Sequence, residues 1–105
     1  MEKRLQALLI AQGALVLLAG FAAGMPYAST VLASLAPDAP ATVGEQLRAW
    51  HMAHLEGVLN GMLMIAGAAA GGALTLSRGQ QRAVFWGLVV AGWTNIVAST
   101  VSAMT

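Results

Sequence analysis

The residue pattern predicts an all-α integral membrane protein, a helical bundle of three transmembrane helices in one domain over residues 1–105. Composition is the first ground. Of 105 residues, 58% are hydrophobic and 9% charged, more apolar surface than a soluble domain of this length can hide from water. Length is the second. Apolar segments at about 5–25, 47–76 and 83–104 each reach the roughly 20 residues a helix needs to cross a bilayer. Together they use nearly the whole chain, so no second domain fits. The third ground is helical hydropathy, which excludes an outer-membrane barrel and makes an inner or cytoplasmic membrane the default location.

The first span, Leu5 to Met25, has no charge, and only Gln6 and Gln12 interrupt its Leu, Ala, Val, Ile and Gly. A secretory signal peptide is the rival reading, because Glu2, Lys3 and Arg4 precede the run and small residues follow around Ala22 to Ala28; the run is long for a signal. Pro26 is expected to close this span, with Tyr27 to Leu35 as an interfacial connection before Pro37, Asp38 and Pro40. Thr42 to Glu45 has the form of a capping box that starts the second helix. That helix is polar in its first three turns (Arg48, His51, His54, Glu56, Asn60) and apolar from Met62 onward. Ser77 to Gln81 reads as a tight polar turn, and Ala83 to Met104 as the third span. Lys3, Arg4, Arg78 and Arg82 fall on one side and Asp38, Glu45 and Arg48 on the other, so the positive-inside rule places the N-terminus in the cytoplasm. The third span ends at Thr105 without a polar tail, which reads as a chain from which a fourth helix is missing.

Several function classes drop out. Five basic and four acidic residues lie scattered, with no basic patch for nucleic acid. Cysteine is absent, which removes disulfides, Fe–S clusters, thiolate haem ligation and Cys-based zinc sites. No Ser-His-Asp spacing, phosphate loop or His-Glu-x-x-His occurs, so an enzyme of this sequence needs a cofactor for the difficult step.

The second helix carries the candidate site. On a helical projection Trp50, His54, Gly57, Asn60 and Gly61 share one face about 120° wide. Gly57 and Gly61, four apart, leave that face bare over one turn and admit a flat ligand or another helix; Gly67 with Gly71 and Ala68 with Gly72 repeat the spacing. His54 and Asn60 flank the bare turn, and an intramembrane His or Asn turns toward the bundle interior or a cofactor. His54 stands between a hydrogen-bonded core histidine and a metal ligand. His51, about 60° away and nearer the surface, is interfacial or structural and cannot ligate the opposite face of the same haem. Glu56 is open among proton carrier, partner of a neighbouring histidine and headgroup contact. In the third span Gly92, Asn95, Ser99 and Ser102 form a small, polar stripe expected to turn inward, with Asn95 and Ser99 meeting a ligand or the second helix. Trp93 reads as a packing residue or an interfacial anchor, and the six methionines as core filling.

The string Trp50-His51-Met52-Ala53-His54-Leu55-Glu56-Gly57-Val58-Leu59-Asn60-Gly61-Met62, followed by Gly92-Trp93-Thr94-Asn95, resembles the styrene oxide isomerase family. The shared elements are Trp, then Ala-His, then Leu-Asn-Gly with six residues from His to Asn, and a downstream Gly-Trp-x-Asn; Gly13 leading into the Gly24 region is similar too. The resemblance implies a four-helix, oligomeric membrane protein that binds haem b. His54 takes the position of the axial iron ligand, with Trp50, Gly57 and Gly61 beside the cofactor and Asn60 as a pocket amide. It further implies isomerisation of a small apolar aryl epoxide to an aldehyde, by Lewis-acid opening of the benzylic C–O bond and a 1,2-hydride shift. One departure stands out. The family's pocket Tyr, four residues after the Asn of Gly-Trp-x-Asn, is Ser99 here, which leaves substrate, stereochemical control and activity open. Two other readings remain beside the isomerase: a non-enzymatic membrane haem protein, and a scaffold whose glycine faces only pack helices.

Overall fold

A computed structural model describes all residues 1–105 and consists of three helices, α1 (Lys3–Ser34), α2 (Val43–Ala73) and α3 (Arg78–Met104), with no strand. All three are long and apolar enough to cross a membrane, so the expected fold class is the one found. The bundle is a slender rod of 58 × 17 × 15 Å. Only 14 of 105 residues are buried, and Leu18, Met25, Leu32, Leu59 and Met104 are among the large apolar side chains facing outward. In water such a surface would aggregate; in a bilayer the hydrocarbon solvates it. No polar or charged side chain is buried, and the core is the cluster Leu9, Val16, Met64, Ala68, Phe85 and Ile96.

Glycine builds the seam between α1 and α2. A Cβ at Gly20 would lie 2.5 Å from the Val58 amide nitrogen, and one at Gly61 would lie 2.6 Å from that of Leu17. At Gly57 a Cβ would collide with the Gly20 backbone. Two helix backbones therefore touch directly along this line, which maximises dispersion contact where lipid offers no hydrophobic force between helices. Helix α3 joins through Phe85, Gly92 and Ile96, with the Met64 sulfur 2.6 Å from a Cβ at Gly92. The Trp93 indole N–H donates to Gln12 Oε1 at 2.8 Å, tying α3 to α1. Gln6 Nε2 donates to Ala68 O at 3.0 Å, above Gly72, so both glutamines of the first span face protein.

Four local expectations are corrected. Pro26 does not end α1, which runs on to Ser34. The proline deprives Ala22 O of its N–H partner without ending the helix, and one turn on Thr30 Oγ1 donates to Pro26 O at 2.7 Å. Tyr27 to Ser34 is accordingly helix rather than connection. At the start of α2, Thr42 is the N-cap by position but forms no side-chain cap bond, because its backbone is already helical (φ −81°, ψ −8°). The capping box lies instead at the start of α3, where Ser77 is extended (φ −67°, ψ 164°). There Gln80 N donates to Ser77 Oγ at 3.2 Å and Ser77 N donates to Gln80 Oε1 at 3.0 Å. The segment expected as a turn is thus mostly the first turn of α3. Finally, the polar stripe of α3 faces inward only in part: Gly92 is buried and Ser99 half-buried, but Asn95 and Ser102 are exposed, and Ile96 takes an inward position beside them.

Candidate functional site

His54 sits on α2 in a cradle made by one face of α1. Gly20, Gly24 and Tyr27 are spaced i, i+4, i+7 and so line up along that face. The His54 Nδ1 atom lies 2.8 Å from Gly20 O. A carbonyl oxygen only accepts, so Nδ1 carries the hydrogen and donates, which leaves the Nε2 lone pair free. The imidazole lies against the bare backbone of Gly24, where a Cβ would stand 3.1 Å from Nδ1 and 3.2 Å from Cε1. Tyr27 closes the cradle, stacked on His54 at 5.9 Å between centroids and 23° between planes. The same phenol ring stacks on His51 at 5.0 Å and 22°. His54 is half-buried and His51 exposed. The ring of the candidate ligand is therefore fixed by one hydrogen bond, one backbone contact and one aromatic face.

The other candidates keep to their one arc of α2, but α1 packs into that arc and divides it. Gly57 and Gly61 are buried in the α1 seam, so the close approach they permit is taken by a helix of the same chain. For these two residues the helix-packing reading is the one realised. Trp50 is half-buried and lines a groove of about 340 Å³ with Ala19, Ala22, Ala23, Pro26 and Thr100. Asn60 lies on the side facing α3. Its Nδ2 donates to Glu56 O at 2.7 Å and to Glu56 Oε2 at 2.8 Å, and its Oδ1 accepts from Asn95 Nδ2 at 3.1 Å. Glu56 is thus partnered within its own helix, and no histidine meets it. Asn95 reaches α2 as expected of the stripe, while Ser99, half-buried, takes part in none of these bonds. The seam at Gly57 and Gly61 runs between His54 and the Glu56–Asn60–Asn95 row, so within one chain the imidazole and the amides occupy opposite flanks.

Nowhere do three or more His, Asp or Glu side chains converge. A metal held by His54 would bring its other ligands with it, as porphyrin iron does. Sequence reasoning passed over Tyr27, Gly20 and Gly24, although Gly20 and Gly24 carry the same four-residue spacing that drew attention to Gly57 and Gly61. That spacing on the first helix, with an aromatic one turn on, was the available signal.

A family model described as styrene oxide isomerase matches residues 5–105. No curated protein and no solved structure matches the chain.

Proposed function

The chain belongs to the styrene oxide isomerase family, and from that premise we propose that it is a haem-dependent membrane isomerase turning an aryl epoxide into an aldehyde, with haem b held by His54. The observation that supports this most directly is the Nδ1–H bond to Gly20 O at 2.8 Å. It selects the tautomer whose Nε2 can ligate iron, and a carbonyl accepting from the far nitrogen also makes the ligand more basic. Bound there, ferric haem supplies a Lewis acid for the epoxide oxygen.

The chain's own residues orient and shield. Gly24 and Tyr27 hold the imidazole plane. The apolar spans keep water from the opened epoxide, so rearrangement is favoured over hydration. Asn95, after its one bond to Asn60, keeps an N–H to donate to a substrate oxygen, and Glu56 holds Asn60 in the orientation that Asn95 needs. The reaction is an isomerisation and calls for no external electrons or co-substrate.

Because His54 and Asn95 stand on opposite flanks of one chain, a pocket that contains both is completed by a second copy. The working unit in this reading is a homo-oligomer. Arg4, Arg78 and Arg82 gather at one end of the rod, as the clefts they line show, and Lys3 adjoins Arg4 in the chain, which supports an N-terminus on the cytoplasmic side of an inner membrane. A non-enzymatic haem protein is the second reading, favoured by one observation: the only phenol, Tyr27, stacks on the histidine side, and no phenol stands beside Asn95.

The test is an absorption spectrum of the detergent-purified protein after expression with ample haem, followed by conversion of an aryl epoxide. A Soret band lost in His54→Ala together with aldehyde formation is the expected result. A Soret band without aldehyde would leave the carrier reading, and a colourless wild-type protein would remove both.

A further inference from the structure

Tyr27 stacks on His51, and Arg48 stands about one turn before His51 on α2, so three side chains with spare hydrogen-bond donors lie from His54 toward the α2 N-terminus. They are the Tyr27 hydroxyl, the His51 ring and the Arg48 guanidinium. The side-chain hydrogen bonds at this end of α1 and α2 run from Thr30 to Pro26, from Ser34 to Val31 and between His54 and Gly20, and none uses these three residues. Arg48, His51 and His54 follow at steps of three along α2, each step about 4.5 Å of rise. Tyr27 stacks on His51 at 5.0 Å and on His54 at 5.9 Å, so the cluster is continuous with the imidazole cradle.

We infer that Arg48, His51 and Tyr27 bind the carboxylate edge of the haem whose iron His54 would hold. The inference rests on the proposed haem reading and concerns how this chain grips that group. Haem b is a flat apolar disc with two carboxylates on one edge. An anion left in hydrocarbon is costly, so the disc must stand with that edge at the membrane boundary. From His54, the boundary lies toward Val43, where α2 begins, and the donors occur along that path. Arg48 is exposed, and it is the only basic side chain between Arg4 and Arg78 apart from the two histidines. Its planar fork matches a carboxylate. The nearest acid on α2, Glu45, lines a separate cleft with Ser102 and Thr105 on the α3 side. A lipid phosphate offers the same anionic chemistry, and the experiment separates the two sources.

The apo full-length chain in detergent is titrated with haem b and with haem b dimethyl ester, reading the Soret band, for wild type and for Arg48→Gln with His51→Gln. The ester keeps ring and iron but has no carboxylates. The expected result is that wild type binds haem b about tenfold more tightly than the ester, from one or two partly solvated charge contacts. The double variant should lose most of that margin while its affinity for the ester stays at the wild-type value, which also shows that its cradle is folded. Equal wild-type affinity for haem and ester would overturn the inference and assign the donors to lipid headgroups, with the haem site at His54 left standing. A margin that survives in the double variant would overturn it as well. Binding of neither ligand would overturn the haem reading itself.

Discussion

Replacing Gly20 by alanine tests the α1–α2 seam and the His54 cradle in one change. The new methyl would stand 2.5 Å from Val58 N, 2.6 Å from Gly57 C and 2.7 Å from Gly57 Cα. Ordinary contact requires about 3.5 Å, and all three neighbours are backbone, so the helices must part by about 1 Å. The bond from His54 Nδ1 to Gly20 O, now 2.8 Å, would stretch to about 3.8 Å, outside hydrogen-bond range. Overpacking of this kind costs about 1–3 kcal/mol and the lost bond about 0.5–1.5 kcal/mol, while alanine in a helix interior returns about 1 kcal/mol. The net expectation is a loss of about 1–3 kcal/mol. Thermal or denaturant unfolding of the purified protein, followed by helix circular dichroism, reads the stability. Nitrogen NMR of labelled histidine reads the tautomer, which should lose its fixed Nδ1–H form. Gly24→Ala is the companion: its methyl would meet only the His54 ring at 3.1–3.2 Å, so it should disturb the histidine signal with a stability cost under about 1 kcal/mol. If Gly20→Ala unfolds at the wild-type midpoint and keeps the Nδ1–H signal, the direct backbone seam described above is wrong.

Other outcomes follow from single contacts. Ser77→Ala should destabilise by about 0.5–2 kcal/mol in the same unfolding assay through loss of the α3 capping box, whereas Thr42→Ala, with no cap bond to lose, should stay within about 0.5 kcal/mol of wild type. Gly87→Ala meets nothing within 4 Å and should stabilise α3 by up to about 1 kcal/mol. A double-mutant cycle on Asn60→Ala and Asn95→Ala should give a coupling of about 0.6 kcal/mol, the size of interhelical amide contacts in membranes; zero coupling would mean their 3.1 Å bond does not persist. Tyr27→Leu should broaden the His54 ring signals and, in the proposed haem reading, weaken haem uptake, while Tyr27→Phe, which keeps the stack, should preserve those signals.

The candidate residues of α2 were legible because they stand in one short string on one helix. Trp50, His54, Gly57, Asn60 and Gly61 were singled out by residue type, helical spacing and the string that resembles the family. Their partners were not legible. Gly57 and Gly61 meet Gly20 and Leu17 rather than an open ligand face, and Asn60 turns to Asn95 while His54 turns to Gly20. A helical projection groups residues within about 120°, yet a neighbouring helix fits inside that arc and divides it. Tyr27 was set aside because Pro26 was read as a terminator, and the helix continues through it.

The sequence by itself determined the solvent of this protein, the number and rough extent of its helices, and the string that marks its family. These are sums or patterns along the chain: transfer free energy adds residue by residue, and 58% hydrophobic content leaves only a bilayer as a fitting environment. The tertiary structure decided which face of each helix is inside. In water, hydrophobicity sorts inward from outward faces; in a membrane both are apolar, so close approach and a few hydrogen bonds sort them instead. Those contacts join positions far apart in the chain, such as Gly20 with Gly57, Gly20 with His54, Asn60 with Asn95 and Gln12 with Trp93. Which nitrogen of His54 is left free for a ligand is settled by a carbonyl 34 residues away, and no local pattern around the histidine contains that information.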